Sequence, residues 1–255
     1  HIYAQHISKQ LDLVLVDTQL KASEIALVIK NALTEDIAAF FEQPVKPALE
    51  KLRQSISIFC EYILEDPYRI KTFYPRLHDE YSLENAAFNA GIIATAIYMQ
   101  LQSELLKKYL NQATLGFFVY DLGMAKIPGF IRKKKQNLSR EEQQKFLNHP
   151  LVGGEILRKL GIEDTLALGS LLEHHERLDG SGTPQRLKGT QISLAGRIAA
   201  VADYFVRLTL EGSPQLLPIR QAADLIYSDR TGLDPKVTAI LKNITLTPAF
   251  APQEN

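Results

Sequence analysis

Cys60 is the single cysteine in this 255-residue chain, which excludes an internal disulfide framework and leads us to expect a reducing compartment. It lies in an apolar helical run and reads as core. Charge excess of either sign is also missing, since 29 Lys and Arg face 29 Asp and Glu. That balance argues against a nucleic-acid partner, and the basic run from Arg132 to Lys135 reads as a solvated loop. Long hydrophobic runs are absent as well: no stretch approaches the roughly 18 apolar residues of a membrane span, and no signal peptide is visible. The chain starts at His1 without a methionine. An upstream anchor or sensor is therefore left open, and the expected location of this part is the cytoplasm. The 45% of hydrophobic residues suffices for one large domain, or one domain with a smaller companion.

In the first 41 residues the pattern is mixed: LDLVLVDT has the pattern of a strand, whereas LKASEIALVIKNAL carries helical spacing. From Pro44 to Tyr74 the chain reads as helix broken at Asp66-Pro67. After Glu80 everything is helix-like. The run SLENAAFNAGIIATAIYMQLQSELLKKYL has Ser82 as its cap, and ATLGFFVYDLGM follows, ended by Pro128. Ser139 and Glu142 form a capping box before QQKFLNHP. LVGGEILRKL, DTLALGSLLEHHERL, ISLAGRIAAVADYFVRLTL, PIRQAADLIYSDR and DPKVTAILKNI come next, the last with Asp234 as cap and Pro235 in its first turn. The final TPAFAPQEN reads as a frayed end. These patterns divide the chain into an accessory or connector segment, 1–75, and a mainly α unit, 76–250.

The chemistry concentrates in HHERLDGSGTP, from His174 to Pro184. Adjacent imidazoles leave a helix about 100° apart, so both reach one ion only if the chain folds back over them. Gly180 and Gly182 supply the turn, and Asp179 reads as a loop cap rather than a base.

HHERLDGSGTP followed by ISLAGRIAAVADYFVRLT resembles the HD-GYP family, metal-dependent phosphodiesterases of cyclic di-GMP within the HD superfamily. The resemblance runs from about Tyr81 to Ile244, nearly two thirds of the chain. It implies an HD-superfamily helical bundle, to which the mixed pattern before it adds a small N-terminal α/β or helical accessory segment. It also implies a ligand set of one histidine, a His-Asp pair, a His before proline, tandem His and a final Asp. Carried over residue by residue, Asp121, His149, His174, His175 and Asp203 match metal ligands, while Asn85 and Tyr120 stand where the family has histidines. Asp121, His149, His174 and His175 would surround one ion with Asp121 bridging. Asn85, Tyr120, Asp121 and Asp203 would surround the other. One good metal site and one poor or empty one are expected, with iron or manganese favoured over zinc. Singly, a histidine next to a proline or a helical aspartate is ordinarily a surface or capping residue. Here three of the chain's six histidines occupy ligand positions in the right order.

Positions that handle substrate in the family are altered. The lysine expected three residues after the pair's aspartate is Met124, with Lys126 on another face; the loop tyrosine is Thr183; and the aspartate three after the last ligand is Val206. The basic residues expected after that helix are replaced by LEGSPQLLP, and Arg207 and Arg220 match nothing clearly. Three readings follow. The first is a degenerate HD-GYP signalling domain that binds metal but is impaired in hydrolysis. The second is an unconventional but active phosphodiesterase. The third is a metal-free domain recognising a partner such as a diguanylate cyclase domain.

Overall fold

The N-terminal helices α1 (Ala22–Glu42) and α2 (Lys46–Glu65) pack on each other, and their polar contacts are few and specific. Asp36, buried on α1, accepts from Ser55 Oγ at 2.6 Å and pairs with Lys51 Nζ at 2.7 Å. Pro67 then breaks the helical run as expected, and a 3-10 segment spans Pro67–Arg76. The computed structural model describes residues 21–101, 108–134, 137–210, 216–228 and 232–250. The expected strand LDLVLVDT lies outside those residues, as do 102–107 within the run from Ser82 to Leu110, 211–215 between two runs, and the ends of two others, 229–231 and 251–255.

Four helices make the centre: α3 (Leu83–Leu101), α4 (Leu110–Val119), α7 (Thr165–Glu173) and α8 (Leu194–Thr209). Between α4 and α7 the chain makes a 3-10 turn, Leu122–Lys126, the short α5 (Gly129–Arg132) and the long α6 (Arg140–Lys159). The pair α9 (Ile219–Ser228) and α10 (Pro235–Thr245) packs against α8, with α10 also reaching α3. Among the described residues no β-strand forms, so the architecture is mainly α, as expected for an HD-superfamily bundle. Caps fall where the sequence puts them. Ser82 Oγ accepts from Asn85 N, the Ser139–Glu142 box is reciprocal, and Asp234 accepts from Lys236 N; Asp164 and Ser193, not singled out in the sequence, also accept from the first turns they precede.

One apolar core runs from Ala26 of α1 to Ile244 of α10 and includes Cys60. Phe59 of α2 lies edge-on to Phe118 of α4 at 5.7 Å between ring centres, which ties the N-terminal helices to the central four. The loop before α3 is held by Asn89, whose side chain accepts from His78 N and donates to His78 O, both at 2.9 Å.

The His78 ring makes that junction sensitive to acid. Its Nε2 lies 3.1 Å from the Thr34 hydroxyl, which itself donates to Lys30 O, so the imidazole is the donor. Burial, and then Lys30, hold His78 down at about 4, against the opposing charges of Asp79 and Glu84. Between about 6.5 and 4 the unfolded chain binds this proton and the folded one does not, so stability falls as pH falls through that window. The ring is only half-buried, and solvent keeps the slope well under the one-proton limit of about 1.4 kcal/mol per pH unit. In urea titrations at pH 7 and pH 5, His78→Gln should lose less stability than the wild type between the two. An equal loss would show that His78 is not the group concerned.

Candidate metal centre

His149 owes its orientation to the proline beside it. The sequence patterns read as two helices, KFLNHP and LVGGEILRKL, but the structure runs them together as α6 with Pro150 inside. Proline has no N–H, so the carbonyl four residues back, Phe146 O, lacks its helical donor. His149 Nδ1 binds that carbonyl instead. A carbonyl only accepts, so Nδ1 carries the hydrogen and Nε2 of the neutral ring presents a lone pair.

His174 is fixed in the same manner. The apolar run ends sooner than its hydrophobic pattern suggests: α7 stops at Glu173 and His174 is its C-cap. Its Nδ1 donates to Leu171 O at 2.8 Å, and the ring is fully buried. The two Nε2 atoms of His149 and His174 then face each other at 3.1 Å, and Asp121 Oδ1 lies 3.0 Å from His149 Nε2. That carboxylate oxygen is buried and accepts no hydrogen bond. Three acceptors thus converge on one point, which is unfavourable unless something positive sits among them.

A proton is one answer. Burial opposes charge on His149, but Asp121 and the Phe146 carbonyl outweigh it and raise the ring above the ordinary imidazole value. His174 is driven well below it by burial and by the neighbouring imidazoles. A divalent cation is the other answer, and the donor set fits one: two imidazoles with their distal nitrogens anchored on backbone carbonyls, and a carboxylate oxygen with no other partner. A ring nitrogen of His175 lies within 4.8 Å of one from each of the other two histidines and could complete the set.

The loop folds back over these rings as the tandem requires. Thr183 N donates to His175 O at 3.2 Å, and Gly182 sits so close to the backbone at His175, Glu176 and Arg177 that a Cβ would collide with all three. Asp179 is a loop cap, its Oδ1 accepting from Ser181 N and Oγ. Glu176, which sequence reasoning missed, is buried and accepts from Gln185 N at 2.7 Å and Leu187 N at 2.9 Å, so its carboxylate holds the loop closed. An acidic residue directly after a histidine pair was the available signal.

Asp203, the last expected ligand, is buried near the cluster, but its oxygens are engaged. Tyr120 donates its hydroxyl to Oδ1 at 3.2 Å, and Arg207 Nε approaches the two oxygens at 3.0 and 2.9 Å. His175 stands between the two halves, with Nδ1 3.7 Å from Asp203 and Nε2 3.1 Å from Arg207 Nη2. Asn85 donates its amide to Glu80 O and caps the loop ahead of α3. Of the altered positions, Met124 packs against the core, Val206 is buried, Thr183 is partly buried, and Lys126 and Arg220 are exposed. Tyr81, half-exposed, was not anticipated as part of the site; burial of its hydroxyl and the nearby Asp121 charge push it up to about 12.

A family model described as HD domain matches residues 67–237, and the chain belongs to that family. It is 33% identical over 167 residues to the cyclic di-GMP phosphodiesterase response regulator RpfG of Xanthomonas campestris pv. campestris, a match covering 63% of this chain and 42% of that protein. It is 30% identical over 189 residues to the 3'3'-cGAMP-specific phosphodiesterase 3 of Vibrio cholerae, covering 70% of this chain and 40% of that one. The chain therefore spans less than half the length of these relatives. Among solved structures it is similar in fold to Bd1817, an HDG"Y"P protein from Bdellovibrio bacteriovorus. The TM-score is 0.78 at 17% identity, over 95% of this chain and 78% of the other.

Proposed function

We propose that this chain is a degenerate HD-GYP signalling domain that holds one divalent cation on Asp121, His149, His174 and His175, recognises a cyclic dinucleotide and is impaired in hydrolysing it. The observation that carries the reading is the asymmetry of the site: Asp121 Oδ1 and two anchored Nε2 atoms converge without a donor, whereas Asp203 is engaged by Tyr120 and Arg207. The mixed imidazole and carboxylate set suits iron or manganese, and when bound such an ion supplies Lewis acidity toward a phosphate. Cyclic di-GMP is the ligand that the named relatives favour, with 3'3'-cGAMP as its close chemical kin. Residues 1–75 form the accessory segment in this reading and 76–250 the HD-type unit. No helix among the described residues is long and apolar enough to cross a membrane.

The test is incubation of the purified chain with cyclic di-GMP and manganese or ferrous iron, following both binding and product. We expect binding, with linear dinucleotide or GMP released at least about a hundredfold more slowly than by an HD-GYP enzyme with its full ligand set. That is the size of loss seen when one electrostatic stabiliser is removed. Turnover matching such an enzyme would overturn the impaired reading and favour an active phosphodiesterase, for which the names of the relatives and the retained Asp121 and Asp203 speak. In that event Asp121→Ala should abolish both metal binding and activity.

A further inference from the structure

Asp203 already has a cation of its own. It lies in the half of the site from which two family histidines are missing, where Asn85 and Tyr120 stand instead. Arg207 follows it by one turn on α8, and residues four apart share a helix face. The guanidinium reaches both carboxylate oxygens through Nε, at 3.0 and 2.9 Å, while Nη2 meets His175 Nε2 at 3.1 Å. Tyr120 adds a donor to the same carboxylate at 3.2 Å. Asn85 donates its amide N–H to Glu80 O at 3.1 Å, and it brings no imidazole to that half of the site.

A second divalent ion at Asp203 would have to enter beside a fixed positive charge and displace an N–H donor from the carboxylate. Two cations at such a distance repel, and the carboxylate that would attract the ion is already neutralised. Arginine remains charged throughout the accessible pH range, so this cation does not leave by losing a proton. From this geometry we infer that Arg207 is a resident replacement for the second metal ion, neutralising Asp203 and keeping the site mononuclear, while His175 gives up its contact with Arg207 when it ligates the single ion. The inference rests on the one-cation reading above and deepens it. It assigns a role to a residue whose position in the sequence matched nothing.

The experiment is a manganese titration of the metal-stripped full chain, reading bound equivalents by calorimetry and by the disappearance of the free-ion paramagnetic signal. The wild type should take one equivalent. Arg207→Ala and Arg207→Gln, which remove the charge, should each take a second, weaker equivalent at the uncovered Asp203. Arg207→Lys, which keeps the charge, should stay at one. Circular dichroism checks that each variant is folded, and more than half of the Arg207 side chain is exposed, so truncation leaves no sealed cavity. Two equivalents in the wild type, or one in every variant, would overturn this inference and leave the metal quartet standing. None in the wild type would overturn the one-cation reading and this inference with it.

Discussion

Replacing Gly123 by alanine is expected to destabilise the fold and empty the metal site together. Gly123 lies in the 3-10 turn that follows Asp121, where α6 crosses it; a Cβ there would run into the backbone carbonyl of His149 and crowd Gly153 N. The obstacle is main chain on both sides, so no side-chain rotation relieves it. Overpacking of this kind costs about 1–3 kcal/mol where side chains can adjust, and the upper end or beyond applies here. In a chain of this size about 3 kcal/mol corresponds to a melting temperature lower by roughly 6–12 °C. The same displacement moves His149 away from Asp121, so bound metal should fall with stability. Gly129→Ala is the control, since its Cβ would meet only Arg132 Nη2 at 3.8 Å, and it should melt within about 1 °C of the wild type. A Gly123→Ala protein with wild-type melting and metal content would mean that α6 does not rest on this turn.

This dependence on a backbone contact explains what could be read in the sequence and what could not. Helix identity was legible because apolar periodicity and caps are local: Ser82, Ser139 and Asp234 all cap the helices that the pattern assigns to them. The candidate ligands came through resemblance, and of the five the structure gathers His149, His174 and His175 within one cluster. Helix ends around the site were less so. The run through Pro150 reads as two helices because proline is a breaker, yet His149 takes up the carbonyl that the proline frees and the helix continues. Arg207 illustrates a different limit. Sequence shows that a basic residue follows Asp203 by four, but an i to i+4 pair on a surface is ordinarily worth little. Only the burial of Asp203 and the approach of Tyr120 and His175 from other elements turn the pair into part of a site. Glu176 is similar: its partners, Gln185 N and Leu187 N, belong to a loop whose return path is not encoded in any spacing.

Metal content of the purified protein carries the largest consequence. Protein prepared without added metal should contain about one iron, manganese or zinc per chain, and His174→Ala should contain none. The His174 ring is fully buried, its Nδ1 is fixed on Leu171 O and its Nε2 faces the cluster, so no neighbouring group can move in to replace it. An ion that binds only the folded state at a thousand times its dissociation constant adds about 4 kcal/mol of stability. For a chain of this size a strong chelator should therefore lower the wild-type melting temperature by roughly 8–16 °C. The variant should melt low at the outset and be indifferent to chelator, because the ion it would have lost is not there. That difference in response separates loss of the ion from the ordinary cost of truncating a buried ring, which chelator would not touch. Equal metal in the two proteins would remove His174 from the ligand set. Two ions in the wild type would instead require Arg207 to yield its place beside Asp203, and the site would then have to be read as binuclear. No metal even after reconstitution would leave the proton on His149 as the charge that holds Asp121 and the facing imidazoles together.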